Sequence, residues 1–173
     1  MSDAGLSEEA LAVFRVAEKR ALLEISSEAT IMDREAIMAL LPHRDPLLLL
    51  DRVTHLDRAG SIVAARYDLT RARDVLGGHF PTRPMYPGVL QIEAIGQAGI
   101  LLGIASGQGD GETVASISLT HVRMARFLKP VTPGADLEIV ARIFDDGFFL
   151  TVVGQCLQHG VLCSAAALSG LVG

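Results

Sequence analysis

The chain of 173 residues has no tryptophan and two cysteines, and aromatic residues make up only 5% of it. Cys156 and Cys163 cannot build a disulfide framework, which excludes a small stapled secreted scaffold and leaves two reduced core thiols as the expectation. Cations are short: 15 Lys and Arg stand against 20 Asp and Glu, and a net charge of −5 argues against nucleic acid as a bulk partner. No apolar run approaches the ~18 residues of a membrane span. The strongest, Leu47 to Leu50 between Pro46 and Asp51, is of strand length. The amino terminus carries Asp3, Glu8 and Glu9 where a signal peptide would be basic, so a cytoplasmic protein with no membrane attachment is expected. Low-complexity tracts and internal repeats are missing, and no spacing of His, Cys, Asp or Glu matches a metal site.

What the chain has in surplus is apolar. Half of its residues are hydrophobic and the mean hydropathy is +0.38, high for a soluble monomer. With no membrane span to absorb it, that surplus calls for a large subunit interface, an internal tunnel, or both. The length suits one domain with a substantial core.

Leu11, Phe14, Ala17, Ala21, Leu22 and Ile25 recur at three- and four-residue spacing, which predicts an amphipathic helix over residues 7–26. Asp33 is a good N-cap for a short helix ending before Pro42. Leu47–Leu56 and Ser61–Leu69 read as a strand pair around Arg58-Ala59-Gly60. Residues 71–86 read as an irregular loop. From Pro87 a helix of about eighteen residues follows, roughly 27 Å long and apolar on nearly every side, so other structure must wrap it. Gly107, Gly109 and Gly111 mark a loop. Strand-like runs then fall near 113–120, 122–128, 135–145, 148–157 and 161–169, with turns at Thr132-Pro133-Gly134, Asp145-Asp146-Gly147 and Gln158-His159-Gly160. The sum is an α+β fold: one long central helix wrapped by a curved, mostly antiparallel sheet of six or seven strands.

The richest stretch runs from Gly78-His79-Phe80-Pro81 through Pro87-Gly88-Val89 to Glu93. A lone loop histidine ordinarily satisfies nearby carbonyls, and a helical Glu ordinarily faces solvent. Here Glu93 is the single charged residue between Val89 and Ile104, and Gln97 lies one turn further on the same face. Desolvation lets a buried carboxyl hold or pass a proton near neutral pH. A histidine can take a proton as general base, and a helix opening at Pro87-Gly88 offers free N–H groups to a developing oxyanion. Proton removal beside a thioester carbonyl, with protonation of a departing hydroxyl, fits this set.

Three blocks make the chain resemble the 3-hydroxyacyl-acyl carrier protein dehydratases of FabZ type, which have the hotdog fold. They are Leu40-Leu41-Pro42-His43-Arg44 through Leu50-Asp51-Arg52-Val53; Gly78-His79-Phe80-Pro81 through Pro87-Gly88-Val89-Leu90 to Glu93-Ala94 and Gln97; and Ala125-Arg126-Phe127 through Lys129-Pro130-Val131 to Pro133-Gly134. The resemblance implies a single hotdog domain over 31–173, behind an amino-terminal helical extension over 1–30. It implies His79 and Glu93 as the catalytic pair, the Gly88 N–H as the group that polarises the thioester carbonyl, and Gln97 as support for Glu93. Phe80, Pro81 and Val89 would join Gly88 and Gln97 in binding substrate. Each active site would take its His from one subunit of a homodimer and its Glu from the other; dimers of this family often assemble into a trimer of dimers, which leaves dimer and hexamer both open. A Glu at position 93, rather than Asp, favours this branch over the dehydratase–isomerase branch.

The implied activity is that of a hydro-lyase. It converts (3R)-3-hydroxyacyl thioesters on acyl carrier protein to trans-2-enoyl thioesters, in fatty-acid synthesis or a related polyketide or polyene route. No cofactor is needed, because both protons move between side chains and substrate. Arg83, Arg126 and Lys129 are the expected contacts for an acidic carrier protein. The rival readings are a hotdog acyl thioesterase and a non-catalytic acyl-binding subunit; the His79/Glu93 pair disfavours both. Departures from the family pattern are Asp45, where an apolar residue is common, the helical segment before residue 30, and Gln158-His159-Gly160 in place of an Asp-Gly turn. His43 and Arg44 are expected to hold the amino-terminal turn rather than to act in chemistry.

Overall fold

The computed structural model describes residues 5–24, 29–107, 118–145 and 149–171. Helices α1 (Glu8–Ala17) and α2 (Arg34–Leu40) precede the hairpin β1 (Arg52–Asp57) and β2 (Ile62–Tyr67). A 3-10 turn (Leu69–Ala72) runs into α3 (Arg73–Gly78), and the long helix α4 spans Gly88–Ala105. Strands β3 (Ser118–Phe127), β4 (Leu137–Asp145), β5 (Phe149–Gln158) and β6 (Val161–Leu171) complete one six-stranded sheet of order β1-β2-β4-β5-β6-β3. Every pairing in it is antiparallel. This is the expected α+β arrangement, with α4 packed against β2, β4, β5 and β6.

By length and composition alone α4 could cross a membrane. In the fold it is the core helix: Ala94, Ile95, Ala98, Leu101 and Leu102 are fully buried in one cluster with Ile139, Ala141 and Cys156. At Gly99 a Cβ would sit 2.4 Å from Val152 Cγ2, so the absence of a side chain is what lets α4 lie this close to β5. Burial pushes the Cys156 thiol up to about 12, and Cys156 and Cys163 are both free and buried.

Three expectations about elements in the first half of the chain need correction. Helix α1 stops at Ala17 rather than running to residue 26, whose own segment 25–28 lies outside the described residues. Buried Gln155 on β5 explains the stop. Its Nε2 donates to the carbonyls of Ala17 (2.8 Å) and Arg20 (3.0 Å), and its Oε1 accepts from Leu22 N–H, so a strand side chain satisfies the groups a longer helix would have used. The stretch from Leu47 to Asp51 is not strand, and β1 begins only at Arg52. Leu47 and Leu48 N–H both donate to Arg44 O, in a turn, and the Leu47 carbonyl and Leu49 N–H are taken by the Gln97 side chain. Part of the 71–86 loop is helical: Asp68 caps the 3-10 turn by accepting from Thr70 N–H (2.8 Å), and Gly77-Gly78 close α3.

Toward the carboxyl terminus, one strand, β3, replaces the two runs expected at 113–120 and 122–128. It carries bulges between Leu119 and His121 and between Val122 and Met124, while residues 113–117 lie outside the described residues. The turn at Asp145-Asp146-Gly147 falls partly outside them too. His159 (φ 54°) and Gly160 (φ 71°) are both left-handed and join paired Gln158 and Val161, which is the backbone of a two-residue type I′ hairpin. The His-Gly turn therefore does the work of the commoner Asp-Gly.

Both faces of β5 and β6 are covered. On the face away from α4, Val153, Ala165 and Ala167 are buried beneath Ala10, Phe14 and Ala17 of α1. Ser7 starts α1 by accepting from Ala10 N–H across 3.2 Å. Asp45, the residue at odds with the family pattern, is joined to Arg34 of α2. Arg34 also pairs with Asp51, which holds Arg71 at 2.8 Å and accepts from Asp68 N–H at 2.7 Å. A carboxylate at position 45 thus has an ionic partner.

Candidate active site

His79 caps the carboxyl end of α3, its N–H donating to Val75 O across 2.9 Å. A tight turn follows in which Phe80 and Arg83 exchange backbone hydrogen bonds, and Met85 N–H returns to His79 O at 2.8 Å. The His79 ring stacks on Phe80 with centroids 4.2 Å apart. Its Nδ1 lies 2.9 Å from the Met85 carbonyl oxygen. A carbonyl only accepts, so Nδ1 carries a proton, and Nε2 is the nitrogen through which the ring can exchange one with a substrate.

Helix α4 opens beside it. Pro87, the N-cap, has no side chain able to cap, and Leu90 and Gln91 N–H turn back to Pro87 O, so the N–H groups of Gly88 and Val89 have no place in the helical ladder. His79, Met85, Tyr86, Gly88, Val89, Gln91, Phe127 and Lys129 line one cavity of about 460 Å³. A Cβ on Gly88 would stand 2.5 Å from Phe127 Cε1, so any side chain here would have to push the exposed Phe127 ring aside where β3 closes on the helix end. Gln91 fixes this entry from below: it donates to Tyr86 O (3.3 Å) and accepts from Ser164 Oγ (2.7 Å). The Tyr86 hydroxyl is buried without a partner among the described residues, and burial pushes it well above the usual phenol range.

Glu93 faces a different cavity, of about 210 Å³, shared with Pro42, His43, Gly96, Gln97, Ile100, Leu119 and Leu168. Gln97 is 1% exposed, and its oxygen and both N–H donors are engaged. Its Oε1 accepts from Leu49 N–H (2.9 Å), which fixes the amide orientation, and Nε2 donates to Leu47 O (2.6 Å) and to Glu93 Oε1 (2.8 Å). Glu93 is not buried in a single chain, since 39% of its side chain is exposed. His79 and Glu93, read together from the sequence, thus open into separate cavities of one protomer.

One residue assigned to structure in the sequence reading stands in this second cavity. His43 Nε2 is 3.5 Å from Glu93 Oε1, and its Nδ1 is buried without a partner among the described residues. Its place beside Pro42 gave no hint of this, because the contact forms across the turn that Gln97 holds. Arg44, by contrast, donates to the carbonyls of Leu41 and His43 and so does hold that turn.

The cationic candidates divide. Arg83 is exposed in the loop after His79, and Lys129, also exposed, borders the His79 cavity. Arg126 lies 3.4 Å from Glu18 at the end of α1. Regular alternation would put Arg123 on the same face as Phe127, but the bulge between Val122 and Met124 breaks it, and Arg123 donates to Ser169 Oγ at 3.2 Å. Phe80 and Val89 are exposed at 51% and 70%, and Pro81 is exposed in the loop.

A family model described as a FabA-like domain matches residues 41–145. The 3-hydroxyacyl-[acyl-carrier-protein] dehydratase FabZ of Helicobacter acinonychis is 35% identical over 142 residues, covering 80% of this chain and 89% of that protein. The chain belongs to the FabZ dehydratase family. Its enzymes are hydro-lyases, and the FabZ of Erythrobacter litoralis, 42% identical over 117 residues, covers 65% of this chain and 75% of the relative. Among solved structures, the dehydratase heterocomplex ApeI:P from Xenorhabdus doucetiae aligns with a TM-score of 0.60 at 23% identity, covering 79% of this chain and 90% of that one. A phenylacetic acid degradation-related protein from Ralstonia eutropha, described as a candidate thioesterase, aligns at 0.55 and 22%, covering 69% and 83%. At such identities both show the hotdog fold alone.

Proposed function

We propose that the chain eliminates water from (3R)-3-hydroxyacyl thioesters carried on acyl carrier protein, giving trans-2-enoyl thioesters in fatty-acid synthesis or a related polyketide or polyene route. One observation carries this reading: His79, whose Nδ1 is taken by the Met85 carbonyl, and Gly88 and Val89 of the uncapped α4 start line the same cavity. His79 removes the α-proton of the substrate. The charge that develops on the thioester oxygen is met by the Gly88 N–H and the positive end of α4. Glu93, held through Oε1 by Gln97, delivers a proton from its other oxygen to the departing C3 hydroxyl. Water leaves, the C2–C3 double bond forms, and the two side chains return to their starting protonation by exchange with solvent. Phe80, Pro81 and Val89 flank the bound thioester.

The site is completed by a second copy. Strand β3 ends the sheet and pairs with no strand on its outer side among the described residues. It exposes Leu119 (56%), Val122 (50%) and Phe127 (57%). Pairing of two β3 edges buries these side chains and brings the His79 cavity of one protomer to the Glu93 cavity of its partner. The protein works in the cytoplasm, in keeping with two free, buried thiols. Carrier protein docks near Arg83, Arg126 and Lys129.

The test is turnover of a 3-hydroxyacyl carrier-protein substrate by wild type, His79→Ala and Glu93→Gln. Absorbance of the conjugated enoyl thioester is followed alongside release of free thiol. General acid–base groups typically contribute ~10²–10⁴-fold each, and either variant should lose activity on that scale while remaining folded. Thiol release without enoyl product would replace this reading by a thioesterase.

A further inference from the structure

The glycines of α4 are not alike. Gly88 and Gly99 have no room for a side chain as their neighbours stand, because Phe127 and Val152 respectively lie within 2.5 Å of where a Cβ would be. Gly96 has room: among the described residues a Cβ there would meet only Leu168 Cδ1, at an ordinary 3.5 Å. Glycine in the middle of a helix costs stability relative to alanine, and close packing does not require it here. The space the missing methyl would fill is the Glu93 cavity, since Gly96 and Leu168 both line it along with Ile92, Ile100, Leu150 and Val152.

Gly96 lies on the same face of α4 as Ile92, Glu93 and Ile100, at the three- and four-residue spacing that stacks side chains along a helix. It is three residues beyond Glu93, about 4.5 Å further along the helix axis. Gly96 therefore borders the part of a bound acyl chain a few carbons past the reacting pair. A straight chain does not need the extra width there, whereas a chain carrying a substituent at that level does.

We infer that Gly96 sets the bore of the acyl tunnel, and that this enzyme accepts 3-hydroxyacyl thioesters bearing a methyl branch beyond the reacting carbons. The inference rests on the dehydratase reading above and names its substrate class. The experiment compares wild type with Gly96→Ala on two thioesters, a straight 3-hydroxyacyl chain and the same chain methylated at its sixth carbon. Wild type should dehydrate both at comparable rates. One methyl group in an apolar pocket discriminates by about tenfold or more, so Gly96→Ala should lower the ratio of kcat/KM on the branched substrate to kcat/KM on the straight one by that factor. The unfolding midpoint of the variant should rise, because the new methyl favours the helix and, among the described residues, meets nothing closer than van der Waals contact. Equal rates of the variant on both substrates, equal loss on both, or wild-type rejection of the branched chain would each overturn the inference while leaving the dehydratase reading intact. Absence of enoyl product from wild type on the straight chain would instead remove the reading itself, and the inference with it.

Discussion

Gln97 Nε2 donates to Glu93 Oε1 across 2.8 Å, one helical turn along α4, while Gln97 Oε1 accepts from the backbone of Leu49. A buried amide thus ties the carboxylate to the segment that precedes β1. Replacing Gln97 with Glu keeps an acceptor for Leu49 but removes both donors and sets a second carboxylate beside the first. Leaving a buried group unpaired costs about 1–3 kcal/mol, and kcat should fall at least ~10-fold as the Glu93 orientation is lost. Urea unfolding together with steady-state kinetics checks both halves. A variant with full kcat would mean that Glu93 needs no such support.

His43 gives a second prediction. Its Nε2 lies 3.5 Å from Glu93 Oε1. His43→Gln keeps a donor of similar size but not an imidazole. The expected result is a loss of about tenfold in kcat with KM and the unfolding midpoint little changed. An unchanged kcat would return His43 to a purely structural place in the turn.

Much of this was legible in the sequence, and the exceptions share a cause. The long helix from Pro87, the strands from 137 onward and the Asp33 cap follow from local pattern and local chemistry, and these appear within a residue or two of their expected limits. The misread elements are ones where a distant side chain takes over backbone groups. Gln155 ends α1, and Gln97 holds Leu47–Leu49 out of the sheet. Glutamine has no local signature for such roles. The nearness of His43 to Glu93 is of the same kind, created by a fold between residues fifty apart. Separation of His79 and Glu93 into two cavities is likewise invisible to spacing, which only says that they stand fourteen positions apart.

Subunit sharing can be read by complementation. His79→Ala and Glu93→Gln homodimers should each be inactive. Mixed under conditions of proven subunit exchange, they should regain activity, because each heterodimer holds one site with both residues intact. At equal amounts half of the dimers are mixed and each has one good site of two, so recovery should approach about a quarter of wild type. Proven exchange with no recovery would place both residues of the reacting pair in one chain.

Helix α1 tests what the covering of the outer sheet face contributes. Phe14 is fully buried over Val153, Ala165 and Ala167. Truncating a buried Phe to Ala typically costs about 3–5 kcal/mol, and Phe14→Ala should lower stability on that scale. The turnover of folded protein should stay unchanged, since α1 packs on the sheet face opposite α4. Loss of kcat in excess of the loss of folded protein would show that α1 reaches the site.

Carrier-protein docking gives the last prediction, and the geometry ranks its candidates. Lys129 is exposed and borders the His79 cavity, so its charge stands where a phosphopantetheine arm would enter. Arg126 is partly offset by Glu18 at 3.4 Å, on a side chain 58% exposed, where such a pair contributes little to stability but does reduce the local positive potential. Lys129→Glu should therefore raise KM for carrier-protein substrate more than Arg126→Glu does, and weaken the salt dependence of kcat/KM. Glu18→Gln should act the other way, lowering KM as Arg126 is released. None of the three should alter turnover of a small thioester that needs no docking surface. Equal effects on both substrates would mean that these charges support the tunnel or the fold, and an inert Glu18→Gln beside a damaging Arg126→Glu would mean that the ion pair leaves Arg126 fully able to dock.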